Sequence, residues 1–374
     1  SGASNPFNIT PDVATKLVFT QDPVTTTAGV TLANVVVKAQ DVNSNTATSF
    51  TGTVTLAYAN NPGGGGLGGT LIKPAVLGVV SFGDLNISVA ATGYRLQATS
   101  GALTQGQSGT FNIDAATATQ LLVTSQPLTI ATAGVSLKPS TGVQVSALDQ
   151  FGNLDPTFTG NVTVSKLTGT GPLFNGGSAS PTVTVAALSG VATFSNLNFQ
   201  VADIGYKLDA NSTGLVGATS ILFDVRAAAA NHLVFTTDPT NQTAGVAIAP
   251  AVAVTAFDFF NNRDSSFAGG AKNVTLSINS GPAGVLQNAT VTPANGRATF
   301  TNFNVETVGT RTLVANGGSI TTPVASGSFT ISAAAATHLD FTTQPTTTFA
   351  GDIIPVGVAA KDQFGNTDPA FTGV

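Results

Sequence analysis

The sequence predicts an all-β chain of tandem β-sandwiches, and three observations carry that prediction. Marker segments recur at a spacing near a hundred residues. Between the markers apolar and polar residues alternate, as in Val162/Val164 and Thr182-Val183-Thr184-Val185, with no 3.6-residue period. Gly, Pro and Asn separate the alternating runs, which is the punctuation of short strands joined by turns.

The plainest marker is a turn. Asp41 to Gly52 reads DVNSNTATSFTG, Asp149 to Gly160 DQFGNLDPTFTG, Asp258 to Gly269 DFFNNRDSSFAG, and Asp362 to Gly373 DQFGNTDPAFTG. Asp opens each copy, Asn follows four residues on, and Phe-x-Gly closes it. Upstream stand Ala-Gly pairs whose glycines, Gly29, Gly134, Gly245 and Gly351, are spaced by 105, 111 and 106 residues. Before each pair lies an opening strand: TKLVFT from Thr15, TQLLVT from Thr119, NHLVFT from Asn231 and THLDFT from Thr337. Pro23, Pro127, Pro239 and Pro345 follow, and a residue without an N–H donor marks a pairing end or an edge. Later come VVSFGDLNI from Val79, VATFSNLNF from Val191 and RATFTNFNV from Arg297, and then closing strands FNI, FDV and FTI from Phe111, Phe223 and Phe329.

These markers divide the chain into a closing strand of a preceding repeat (1–13), three full repeats (14–116, 117–228 and 229–334) and a truncated fourth (335–374). Each full repeat is expected to hold seven or eight strands. About a hundred residues with one-faced strands suits an Ig-like sandwich, because two amphipathic sheets bury their apolar faces on each other. In the second repeat the expected core is Leu122, Val143, Val145, Val162, Val164, Val183, Phe194, Leu208 and Phe223. Tyr94 and Tyr206, in GYRL and GYKL, suit either a tyrosine corner at the start of the penultimate strand or a half-buried rim aromatic. The third repeat carries Gly309-Thr310-Arg311-Thr312-Leu313 there, so the Tyr reads as dispensable. Links such as Arg226-AAAA-Asn231 are too short for a helix or a tether. Neighbouring sandwiches are therefore expected to touch and to form a rod-like array.

Composition narrows the function classes. Charged residues are 8% of the 374, the net charge is −5, and no basic cluster exists, which argues against a nucleic-acid partner. No apolar run reaches the length of a membrane span. Zero Cys excludes disulfides, thiol catalysis and Cys-ligated zinc. Zero Met predicts a chain processed or cut from a longer one, and Val374 aligns with Asn161, early in a repeat. Few Lys and Arg suit a protease-exposed, secreted protein.

The recurring turn is also the leading candidate for chemistry. Asp149, Asn153 and Asp155 present oxygens within seven residues, as do Asp362, Asn366 and Asp368, and Ca²⁺ takes six to eight such ligands. The competing reading is that Asp and Asn cap turn N–H groups while Gly supplies positive φ, and the lack of a bidentate Glu favours it. His232 and His338 occupy one repeat position that elsewhere holds Lys16 and Gln120, so neither marks a centre. Glycoside hydrolysis needs a carboxylate pair; the chain has a single Glu, Glu306, and its Asp residues are scattered. No G-x-S-x-G elbow occurs, and GGGGLGG at Gly63–Gly69 lacks the Lys-Ser/Thr of a phosphate cradle, so it reads as a flexible hairpin loop. No cofactor other than the candidate Ca²⁺ is indicated, and no enzyme is expected. Seven N-x-S/T sequons occur at roughly their chance frequency, and the Thr runs 25–27 and 346–348 form no regular array.

The D-x-x-G-N turn after an alternating strand, with Gly190-Val191-Ala192-Thr193-Phe194 later in the unit, resembles the bacterial Ig-like repeats of the invasin and intimin group found in large surface proteins. The first and third turns depart from it, reading DVNSN and DFFNN. The resemblance implies an extracellular, cell-surface stalk, adhesin or fibre without a reaction centre. Its expected partners are neighbouring copies of the repeat or of the chain. An array of modules recognising glycans or another surface protein is the alternative, although the chain has no Trp and only Tyr58, Tyr94 and Tyr206.

Overall fold

A computed structural model describes residues 2, 5–318 and 320–373; Ser1 and Val374, to which the expectations about the two ends attach, lie outside these. Among the described residues the chain is almost wholly strand, turn and loop, with one 3-10 turn at Gly270–Lys272. No helix among them is long and apolar enough to cross a membrane.

The first repeat shows the plan. Lys16–Gln21, Val35–Gln40 and Val79–Phe82 form one antiparallel sheet in that order. The opposing sheet runs Thr26–Thr27, Phe111–Asp114, Ala91–Thr99, Thr53–Asn60, Ile72–Pro74, with Gly106–Gln107 also paired to Ala91–Thr99. Pro23 interrupts the opening segment, and beyond it Thr26–Thr27 crosses to the other sheet and pairs parallel to the closing strand. The second and third repeats have the same two sheets in the same order. This is an Ig-like sandwich, three times over.

Alternation places the core between the sheets. Leu17, Val35, Val37, Phe82, Leu96 and Phe111 are buried in the first repeat, and separate apolar clusters fill the second and third. Two expectations need correction. Leu122 is 48% exposed, and its neighbours Leu121 and Val123 point inward. Pairing with Ala147 and Val145 fixes that register, which two adjacent leucines leave open in the sequence. The strand count also exceeds seven or eight, with nine in the first repeat and twelve in the second, because ladders of two or three residues are added to the longer strands. In the 335–374 segment His338–Thr343 pairs with Gly357–Lys361, so this segment presents one strand pair.

Candidate functional site: the joint between successive repeats

Every Asp that opens a turn is buried, and hydrogen-bond donors surround it. Asp149 Oδ1 accepts from the amides of Phe151 (2.8 Å) and Asn153 (2.9 Å), which holds the turn in shape. Its Oδ2 accepts from the Asn153 side chain and from the amide of Ala116 in the linker, both at 2.9 Å. Asp258 does the same with Phe260, Asn262 and Ala228, and Asp362 with Phe364, Asn366 and Ala334. The second Asp of the turn secures the next part of the linker. Asp155 Oδ2 accepts from Ala118 (2.9 Å), Asp264 from Ala230 (2.9 Å) and Asp368 from Ala336 (3.1 Å).

Burial alone would raise the carboxyl pKa values of Asp149 and Asp362. The Asn side chain and the converging amides outweigh it and hold Asp149 and Asp362 below the ordinary carboxylate value. Burial is likewise outweighed at Asp155 by Thr157 and the Ala118 amide, and at Asp264 by Ser266 and the Ala230 amide.

The Asn four residues on reaches into the preceding repeat. Asn153 Nδ2 donates to the Ser88 carbonyl at 2.8 Å, while its Oδ1 accepts from the Ala90 amide at 2.9 Å. A side-chain amide has a donor and an acceptor side by side, so it matches one residue's C=O and the N–H two residues on. Asn262 clamps Gln200 and Ala202 at 2.7 and 2.8 Å, and Asn366 clamps Glu306 and Val308 at 2.8 and 3.2 Å. Three successive joints therefore share one clamp.

The aromatic between Asp and Asn fills the rest of the contact. Phe151 lies over Gly29, Phe260 over Gly134 and Phe364 over Gly245, so closely that a Cβ on any of these glycines would collide with the ring. Each glycine also sits at positive φ, +77°, +75° and +77°. The Ala-Gly marker is thus the socket for the next repeat's Phe, a role not legible from its own repeat.

The strap that each Asn grips is braced from inside. Tyr94 Oη donates to Val89 O at 2.8 Å, and Tyr206 Oη to Val201 O at 2.8 Å and to Thr170 O. Both rings are fully buried, which decides for the tyrosine corner over the rim aromatic. In the third repeat Arg311 stands in the register of the Tyr: it pairs with Phe329 as Tyr94 pairs with Phe111 and Tyr206 with Phe223. Its guanidinium donates to Thr307 O, the counterpart of Val89 O, and to Val308 and Pro282 carbonyls at 3.1 and 3.3 Å. The brace persists although the Tyr does not. The glycines of GGGGLGG take part in the first repeat, since Cβ atoms at Gly63 and Gly65 would collide with Tyr94 and Val89. That loop closes over the corner and bridges at Gly68 to Asn86, in contrast to the free hairpin loop expected.

The candidate Ca²⁺ ligands Asp149, Asn153, Asp155, Asp362, Asn366 and Asp368 therefore all sit in joints. The structure brings each triplet together in sequence order, yet spends its oxygens on N–H and O–H donors from turn, linker and strap. A cation would have to displace them, because an N–H aimed at an oxygen repels a metal there. His232 stacks 6.0 Å from the Phe257 ring, and His338 Nε2 lies 3.6 Å from Asp340. A cavity of about 600 Å³ along the outer face of the third repeat is lined by Ser277, Asn279 and Ser280 among apolar and glycine residues, with no ionisable side chain.

No protein-family model and no curated protein matches the chain. Among solved structures it is similar to the D00–D0 domains of intimin (15% identity over 57% of this chain and 98% of that one, TM-score 0.29). It is also similar to domains 4–9 of the surface layer protein SbsC (20% identity, 95% and 54% covered, TM-score 0.21). A third likeness is to a β-glycosidase from Bacteroides vulgatus (15% identity, 56% and 25% covered, TM-score 0.24). The chain thus spans a quarter of the glycosidase and about half of the surface-layer fragment. The assignment of the sandwich rests on strand order, and that of the site on its hydrogen bonds.

Proposed function

We propose that the chain is an extracellular structural segment, a stiff run of repeats within a cell-surface stalk, fibre or surface layer, and that it performs no catalysis. The observation supporting this is the joint itself, built three times from the same Asp, Asn and Phe against the same strap and glycine. Clamp, plug and two linker caps constrain a connection of four or five residues more than any flexible tether would. Pull along the chain is then resisted by ladder hydrogen bonds and by the joints in series. The partners this reading requires are other copies of the repeat or of the chain.

We assign the buried turn carboxylates to capping rather than to Ca²⁺. Modules recognising glycans or another surface protein have weaker support. Tyr94 and Tyr206 are spent inside the sandwiches, and among the exposed aromatics Phe259, 76% exposed, stands edge-on to Phe260. Small-angle scattering with negative-stain imaging tests the proposal. Straight particles of uniform length support a stalk, and regular filaments or sheets support a polymer. Particles bent at random between repeats would refute stiffness.

A further inference from the structure

The turn of the first repeat differs from the other three where the joint is made. Asn43 stands in the place of Phe151, Phe260 and Phe364, so it has no aromatic plug. Ala47 stands in the place of Asp155, Asp264 and Asp368, so the amide of Ala14 has no carboxylate opposite it. Ser44 takes the left-handed position at φ 70° that Gly152 and Gly365 occupy elsewhere, a conformation costly for a side chain. What remains is the turn itself, with the Asn43 and Asn45 amides donating to Asp41 Oδ1 at 2.9 Å and the Asn45 side chain to Oδ2 at 3.1 Å, and one linker bond, Asp12 N to Asp41 Oδ2 at 3.1 Å.

We infer that residues 11–14 form a hinge, the pliable counterpart of the three stiff joints that follow. Asn45 keeps the clamp's chemistry and can still tether a strap. With no ring on a socket glycine and no second cap, nothing fixes the angle of that tether. A module carried ahead of Asp12 would pivot, while repeats beyond it hold their mutual orientation. The inference rests on the proposed stiffness of the other joints, and its test separates the two.

The chain has no Cys, so paired spin labels can be placed cleanly. Residues 14–110 are spliced ahead of Phe7, giving the whole chain one added copy of its first repeat that closes on the native residues 7–13. Labels at I72C of the added copy and I72C of the native repeat span the hinge, and labels at I72C and L188C span the joint between the first and second repeats. Pulsed dipolar distances across the hinge are expected to spread about twofold more widely than those across the joint. The triple substitution N43F/S44G/A47D should narrow the hinge distribution to the width of the joint. Equally narrow distributions without it, or no narrowing with it, would overturn the hinge. Equally broad ones would overturn the stiffness of the joints as well.

Discussion

The second and third repeats make the same joint with different residues, and the difference separates what the geometry demands from what it tolerates. The second repeat braces its strap with Tyr206 and the third with Arg311, yet both aim a donor at the equivalent carbonyl, Val201 O or Thr307 O. Their turns read DQFGN and DFFNN, with Gly152 and Asn261 both at positive φ, and Asp155 and Asp264 alike cap the linker. Donor identity at the corner and the left-handed residue in the turn are exchangeable. Asp, Asn, the plug and the socket glycine are not exchanged at any of the three joints. A planar cation replaces a phenol because the strap needs hydrogen bonds from below, not a ring, although it leaves Arg311 Nε buried without a partner.

The largest effect should come from the residue both repeats share. Asp149→Ala strips the acceptor from three backbone amides and the Asn153 amide, and should cost the second repeat about 3 kcal/mol. Asp258→Ala should match it in the third, and denaturant melts of the two variants check this. A large loss in one repeat alone would break the equivalence of the joints. Acid should act on all of them together. The carboxyls of Asp149, Asp155, Asp264 and Asp362 lie below the ordinary value when folded, so their contribution is complete above the unfolded pKa of about 3.9. It is lost as pH falls through the lower folded values. Stability should be flat from about pH 5 to 8 as far as these groups decide it, and should fall below about pH 4 in a melt series.

Socket substitutions come next. Gly134→Ala places a Cβ at φ +75° and against the Phe260 ring, and should destabilise by about 2 kcal/mol. Part of that cost belongs to strain within the second repeat and part to the third repeat's ring. A double-mutant cycle with Phe260→Ala separates them, and a coupling of about 1 kcal/mol is expected. Strict additivity would mean that the plug does not bear on the socket.

Much of this was legible in the sequence, and the part that was not has one cause. Alternation gave the sandwich, because that signal lives within a repeat. Asp149 was readable as a capping residue for the same reason. The target of Asn153 was not, since Ser88 and Ala90 are more than sixty residues away and belong to another sandwich. The Ala-Gly marker likewise looks like an ordinary turn until the next repeat's Phe is laid on it. Arg311 evaded the reading because one extra residue, Thr310, shifts it out of the Gly-Tyr alignment, and only its pairing with Phe329 restores the register. Comparing each marker with the following repeat rather than with its own copies would have been the useful signal.

The corner itself should respond more gently. Tyr206→Phe removes one hydroxyl from two carbonyls, those of Val201 and Thr170, and should cost about 1 kcal/mol. Arg311→Met removes a buried cation along with its bonds, so the loss of donors is offset by the desolvation it no longer suffers, and a change within about 1 kcal/mol is expected. Thermal melts of the two variants would sharpen the comparison: a much larger loss for Arg311→Met would mean that the cation does more than brace the strap.

The smallest expected effect is that of calcium. In each joint the oxygens a cation would need already receive amide hydrogens at 2.8 to 3.2 Å, and turning those amides away would undo the linker and the clamp together. The first turn offers a built-in control, because Ala47 removes the second carboxylate there. If Ca²⁺ bound the triplets Asp149/Asn153/Asp155 and Asp362/Asn366/Asp368, excess Ca²⁺ would raise the melting temperature in proportion to its affinity. D155A and D368A would abolish the rise. The capping assignment expects the same melting temperature in millimolar Ca²⁺ and in excess chelator, with D155A lowering both equally. A Ca²⁺-dependent shift confined to the chain with Asp155 and Asp368 intact would return the turn to the role of a metal site and make the joint's stiffness conditional on the ion.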